Sequence, residues 1–165
     1  LIFTQYALDK PAYYSTILPF TRNPIGAMDF APVFLNKRLS RDQKGGTVRK
    51  TTDAFELATA VLYFSPIQHF GLTPNNLEEQ PEFVLDFLRE VPTVWDETVY
   101  VGGEPGDYAA IARRKGDTWY LAVTNGEQAK KTLELDLPMF KGIEATLIYD
   151  AKDKTAAQKT VKVKS

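Results

Sequence analysis

The 165-residue chain carries 20 Lys and Arg against 21 Asp and Glu, with one His and no Cys. A net charge of -1 offers no basic field to nucleic acid, and the absence of Cys removes disulfides, thiol nucleophiles and thiolate metal sites. No apolar run approaches the roughly 18 residues of a membrane span, and 44% hydrophobic with 25% charged residues is the composition of a folded domain, or of a domain fragment joined to a second small one.

Leu1 stands in place of an initiator Met and no charged-then-apolar leader follows, so the chain is expected to start within a longer protein. Residues 1 to 14, with Phe3, Tyr6, Tyr13 and Tyr14 around Asp9-Lys10-Pro11, read as a short helix or loop. Ser15 to Phe20 is an apolar run of strand length. Thr21, Arg22 and Asn23 follow, Pro24 biases Asn23 toward an extended conformation, and Gly26 permits backbone angles other residues avoid. Asp29 lies between Met28 and Phe30, just before Pro32. Asn36 to Lys50 contains Gly45-Gly46 and six Lys or Arg residues (Lys37, Arg38, Arg41, Lys44, Arg49, Lys50), the pattern of a solvated surface insertion.

Thr52 to Phe64 has helical spacing at Ala54, Leu57, Ala58, Val61 and Leu62, and the offset of Asp53 and Glu56 fits a capping box. Ser65-Pro66 stops it, and Ile67, Phe70 and Leu72 are expected as a buried connection. His69, the lone His, is expected as a packed residue rather than a catalyst. Thr73-Pro74-Asn75-Asn76 is turn chemistry, with a short helix possible at Asn76 to Glu79. A second helix starts near Pro81, carries Phe83, Val84, Phe87 and Leu88 on one stripe, and ends at Pro92.

From Thr93 the period changes from helix to strand. Thr98 to Val101, Tyr108 to Arg113, Thr118 to Thr124, Leu133 to Leu137, Ile143 to Tyr149 and Thr160 to Lys164 read as six short strands. Gly116-Asp117 is a hairpin turn. The chain is therefore expected to divide at residues 1–92 and 93–165: an α/β portion, then an all-β antiparallel sheet or small β-sandwich.

Glycine-rich phosphate loops, paired-His metal motifs and Gly-x-Ser-x-Gly elbows are all missing, which leaves carboxylates. Arg22, Asn23 and Asp29 at the end of an apolar strand are the candidate site residues, because parallel α/β enzymes place sites at strand ends. The alternative is an Arg22–Asp29 ion pair that pins a loop. Asp96 and Glu97 are adjacent and point to opposite sides, so they cannot act together on one substrate. Trp95 is expected to be buried at the junction rather than to serve as a sugar platform.

The stretch Leu18-Pro-Phe-Thr-Arg-Asn-Pro-Ile-Gly-Ala-Met-Asp-Phe-Ala-Pro32 resembles the late catalytic barrel of glycoside hydrolase family 97, a family of α-glucosidases and α-galactosidases. Ala58 to Gln68, Val91 to Thr98 and Gly106 to Tyr120 agree with it in order, as the last barrel helix, the barrel-to-sandwich junction and the first sandwich hairpin. The resemblance implies the terminal part of a (β/α)8 barrel over residues 1–92, then a C-terminal β-sandwich. It implies that the general acid, the base or nucleophile and the calcium-ligating glutamates lie upstream, so no catalytic and no metal residue is assigned here. A fragment of this kind is expected to be inactive alone and to bind no cofactor, with calcium possible in the intact enzyme. Arg22, Asn23 and Asp29 would line the active-site rim if Ile17 to Phe20 is a barrel strand.

The implied partners are an oligosaccharide or aryl α-glycoside substrate and the missing barrel portion, with no nucleic acid and no membrane span. The implied location is periplasmic or extracellular. The rival reading is a non-catalytic carbohydrate-binding or interaction module that uses Trp95, Tyr108, Trp119 and Tyr120 as ligand contacts.

Overall fold

The computed structural model describes residues 8–39, 42–127 and 129–163. Phe3, Tyr6, Arg41 and Lys164 fall outside them. Two short helices open the described chain, α1 (Pro11–Ser15) and α2 (Leu18–Thr21). The run read as a strand from Ser15 to Phe20, with Ile17 to Phe20 as a barrel strand, is therefore helical. An apolar run this short does not separate helix from strand by periodicity. Pro11 and Pro19 decide it, because each sits in the first turn of its helix, where a missing N–H is no loss.

The extended backbone comes later. Phe30 and Gln68 form a parallel bridge, flanked by Met28 N–H donating to Phe64 O at 3.0 Å and Gly71 N–H donating to Pro32 O at 2.9 Å. Parallel neighbours need a long crossover. This one contains a two-residue hairpin, β1 (Arg38–Leu39) with β2 (Thr47–Val48), and helix α3 (Asp53–Leu62). Thr52 caps α3, its hydroxyl accepting from Phe55 N–H at 3.2 Å. The expected Asp53–Glu56 capping box does not form, since both carboxylates are drawn into contacts with the preceding loop. The basic insertion is not uniformly solvated either, for the side chain of Arg49 is buried. Ile67, expected to be buried, is 65% exposed.

Helix α4 (Asn76–Glu79) and helix α5 (Glu82–Glu90) follow, with Val84, Leu85 and Leu88 of α5 buried. Strands β3 (Glu97–Glu104), β4 (Tyr108–Lys115) and β5 (Thr118–Asn125) make an antiparallel sheet in that order. The two-residue turn Gly116-Asp117 joins β4 to β5, with Gly116 at φ +56°. A bulge falls between Tyr100 and Gly102 of β3. Next to it Gly103, at φ +117°, packs so closely that an added Cβ would lie 2.1 Å from Tyr108 O. A second antiparallel pair, β6 (Glu144–Asp150) with β7 (Ala156–Lys162), completes the chain. Among the described residues the expected strand at Leu133 to Leu137 joins none of the three sheets.

The core lies between α3 and the β4–β5 face. Val33, Leu35, Leu57, Val61 and Leu62 meet Ala109, Ile111 and Ala122 there, and Val84 and Leu88 close one side. Ala109 to Arg113 are buried throughout, as expected of the central strand of a covered sheet. Among the described residues no helix is long and apolar enough to cross a membrane.

Candidate functional site

Arg22 caps α2 and donates to Gly26 O at 3.2 Å and Ala27 O at 2.7 Å. It does pin a loop, but through carbonyls, and it is not at a strand end. Among the described residues it makes no ion pair with Asp29. Asn23 reaches across the chain: its Nδ2 donates to Phe64 O at 3.3 Å, and Phe64 N–H donates to its Oδ1 at 3.2 Å. The side-chain amide thus stands in for a neighbouring peptide group, and both Asn23 and Met28 hold the end of α3 to the loop before the extended segment. Asp29 is exposed at the edge of a cavity of about 920 Å³. Phe30, Phe34, Tyr63 and Glu56 line that cavity, and His69 sits at its margin, exposed rather than packed as expected.

Two buried polar clusters were not apparent in the sequence. In the first, Arg49 and Asp53 form an ion pair, and Arg49 also donates to Asn36 O and Leu35 O, each at 3.2 Å. Glu56 accepts from Phe34 N–H at 3.0 Å and from the Thr51 hydroxyl. Burial raises the Glu56 pKa above the usual carboxylate range, against the opposing pull of Thr51, Phe34 N–H and Arg49. Tyr63 is also pushed up, first by burial and then by the charge of Glu56. The second cluster lies where both parallel segments end. Asn36 donates to Thr73 Oγ1 at 2.7 Å and accepts from Asn75 and Asn76 at 2.9 and 2.8 Å. The turn residues were legible, but their partner is some forty positions away.

Arg113 ties the helical layer to the sheet. Its guanidinium donates to Leu62 O at 3.2 Å, at the C-terminal end of α3, and to Thr98 Oγ1 at 3.1 Å. It lies against the rings of Phe64 and Trp95. Burial lowers its pKa to about 10.

The four rings proposed as ligand contacts form no exposed row. Trp95 packs edge-on to Tyr120 at 5.3 Å and Trp119 on Phe140 at 6.5 Å. Trp119 and Tyr120 are neighbours on β5 and point to opposite faces. Asp96 accepts from Gly116 N–H at 2.8 Å and Lys115 Nζ at 3.0 Å, which lowers its pKa. Glu97 pairs with Arg114 at 3.1 Å. Both carboxylates thus brace a hairpin. Among the described residues no three His, Cys, Asp or Glu side chains converge as a metal site.

Comparison with known proteins falls on one class, the glycoside hydrolases. Residues 94–165 match the family model described as "Glycosyl-hydrolase 97 C-terminal, oligomerisation". A curated "probable retaining alpha-galactosidase" from Streptomyces bingchenggensis is 37% identical over 143 residues, 86% of this chain and 21% of its own length. The crystal structure of a β-arabinopyranosidase superposes with a TM-score of 0.94 at 47% identity, covering 99% of this chain and 26% of that one. A family 97 enzyme from Pseudoalteromonas sp. strain K8, solved with panose, gives 0.60 at 27% identity, over 85% of this chain and 20% of that one.

Residues 94–165 carry the C-terminal module of glycoside hydrolase family 97, and the chain as a whole is similar to part of the length of glycosidases of that kind. It spans about one fifth of the length of the curated relatives it matches.

Proposed function

We propose that the protein carrying this chain is a retaining glycosidase acting on α-galactosides or on the sterically related β-L-arabinopyranosides. The observation that carries this reading is the 47% identity over nearly the whole chain to a β-arabinopyranosidase, beside 37% to a probable retaining α-galactosidase. The two substrates fit one site: β-L-arabinopyranose has the ring configuration of α-D-galactopyranose and lacks only the exocyclic CH2OH. An α-glucoside specificity is the second reading, supported by the structure of a similar family 97 enzyme in complex with panose.

Glycoside hydrolysis with retention uses two carboxyl groups about 5–5.5 Å apart, one as nucleophile and one as acid, then base. In this reading both belong to upstream polypeptide. Any calcium would also be held there, and no step is routed through a metal on this chain. The parallel segments around Phe30 and Gln68, crossed over by α3, form a βαβ unit. We read it as the end of a (β/α)8 barrel over residues 1–92, with a β-sandwich from 93 onward. Its strands then run from Met28 and Ile67 toward Asn36 and Thr73, and the C-terminal ends of barrel strands are where sites are built. The amide cluster of Asn36, Asn75 and Asn76 occupies that end. It would fix the loops there, while Arg22 and Asn23 lie before the strand and Asp29 lies at its start, the opposite end from that cluster.

Export to the periplasm or beyond belongs to the same proposal and rests on resemblance alone. The "oligomerisation" in the family model's description extends, on this reading, to residues 94–165.

The test is turnover of aryl α-galactoside, aryl β-L-arabinopyranoside and aryl α-glucoside by the full-length protein, with and without chelator. Cleavage of the first two with retention is expected. Cleavage of the glucoside alone overturns the reading. In the same assay, an Arg22→Ala variant with unchanged turnover removes Arg22 from the rim, the result its carbonyl contacts favour.

A further inference from the structure

Residues 130–137 read Lys-Lys-Thr-Leu-Glu-Leu-Asp-Leu. Lys131, Leu133, Leu135 and Leu137 are half-buried, whereas Thr132, Glu134 and Asp136 are exposed. A burial period of two is that of an extended strand with one covered face. Yet among the described residues no backbone–backbone hydrogen bond engages residues 130–136, and the sheet β3-β4-β5 stops at β5. A strand-length run of unpaired amides and carbonyls with an apolar face is a template for another strand.

The side chains indicate what that strand is. Antiparallel pairing about a two-fold axis through Leu133 puts Leu133 against its own copy. It places Lys130 opposite Asp136 twice and Thr132 opposite Glu134 twice, with no like charges facing. Centring on Glu134 sets that carboxylate against itself, and centring on Leu135 sets Glu134 against Asp136. Centring on Thr132 brings no leucine against leucine. Lys131 is held within the chain by Asp107 and Glu127, which leaves its stem to cover the apolar face.

Beside Lys130 runs a groove of about 680 Å³ lined by Val123, Leu147 and Tyr149. Each of these three side chains is about two-fifths exposed. It adds apolar area that a seven-residue ladder alone would lack.

We propose that residues 130–136 form the central antiparallel edge of a two-fold dimer with a second copy of this chain. The proposal rests on the oligomerisation reading above and specifies its contact. The test is sedimentation equilibrium of the full-length protein. Lys130→Glu and Asp136→Lys, each alone, are expected to raise the dimer dissociation constant about tenfold or more, because both symmetric pairs turn repulsive. The double variant exchanges the charges and is expected to return to within about threefold of the starting value. An oligomer indifferent to both single changes overturns this edge and leaves the oligomerisation reading standing. So does a double variant that fails to recover. A protein monomeric up to about 0.1 mM overturns both.

Discussion

Glu56 is the residue whose surroundings most constrain the chemistry of this chain. Its pKa in the folded state is raised by burial, so its contribution to stability is complete below the unfolded value of 4.5. That contribution is lost as pH rises through the elevated folded value. Stability is thus expected to fall with rising pH across this window. Glu56→Gln keeps an acceptor for Phe34 N–H and should flatten that part of the profile. Chemical denaturation of the two proteins from pH 4 to 8 checks this, and an unchanged slope in the variant would assign the titration elsewhere. At Gly103 the constraint is steric. Gly103→Ala forces a side chain against Tyr108 O at positive φ, and a loss of about 2–4 kcal/mol is expected in thermal or chemical unfolding. At Gly45, where an added Cβ meets nothing within 4 Å, the same change should cost less than about 1 kcal/mol.

Among the elements, α3 and the sheet are joined by a cation rather than by apolar contact alone. Arg113 satisfies a terminal carbonyl of α3 from within β4. Arg113→Lys keeps a buried charge but loses the forked geometry and the ring contacts, and should cost about 2–4 kcal/mol. Arg113→Met removes the charge together with its desolvation and should cost about half as much. Calorimetric unfolding gives the order, and a lysine variant as stable as the parent would show that the fork is dispensable.

Elements with a strong period were legible in the sequence. Helix α3, the β4–β5 hairpin and the short α4 fall where their spacing and turn residues place them, although α3 is capped by Thr52 and not by the Asp53–Glu56 box. The run before Arg22 was misread because four apolar residues suit either geometry, while the informative signal was proline in a first turn. Leu133, Leu135 and Leu137 have strand alternation without a ladder, since alternation specifies a face and says nothing about a neighbour. The clusters around Asn36 and Arg49 were out of reach for another reason: topology, not local pattern, joins the loop at 33–36 to Arg49, Glu56 and Asn76.

For the whole molecule, the parallel pair near Phe30 and Gln68 leaves apolar surface exposed, the surface that the proposed barrel would cover. Ile67 and the cavity by Phe34 lie on it, and burying such apolar surface is the dominant gain in folding. The free chain should therefore unfold at a lower temperature than the same residues do within the full-length protein. Scanning calorimetry of both is the measurement, and equal transition temperatures would make residues 8–163 self-sufficient. Another feature bears on lifetime rather than stability. The Asn23 side chain that clasps the Phe64 peptide is followed by Pro24, whose ring nitrogen has no hydrogen to lose. Spontaneous hydrolysis of an asparagine amide usually begins with attack by the next residue's nitrogen. Here that imide cannot close, so the residue beside it shields this fastening from deamidation by that route.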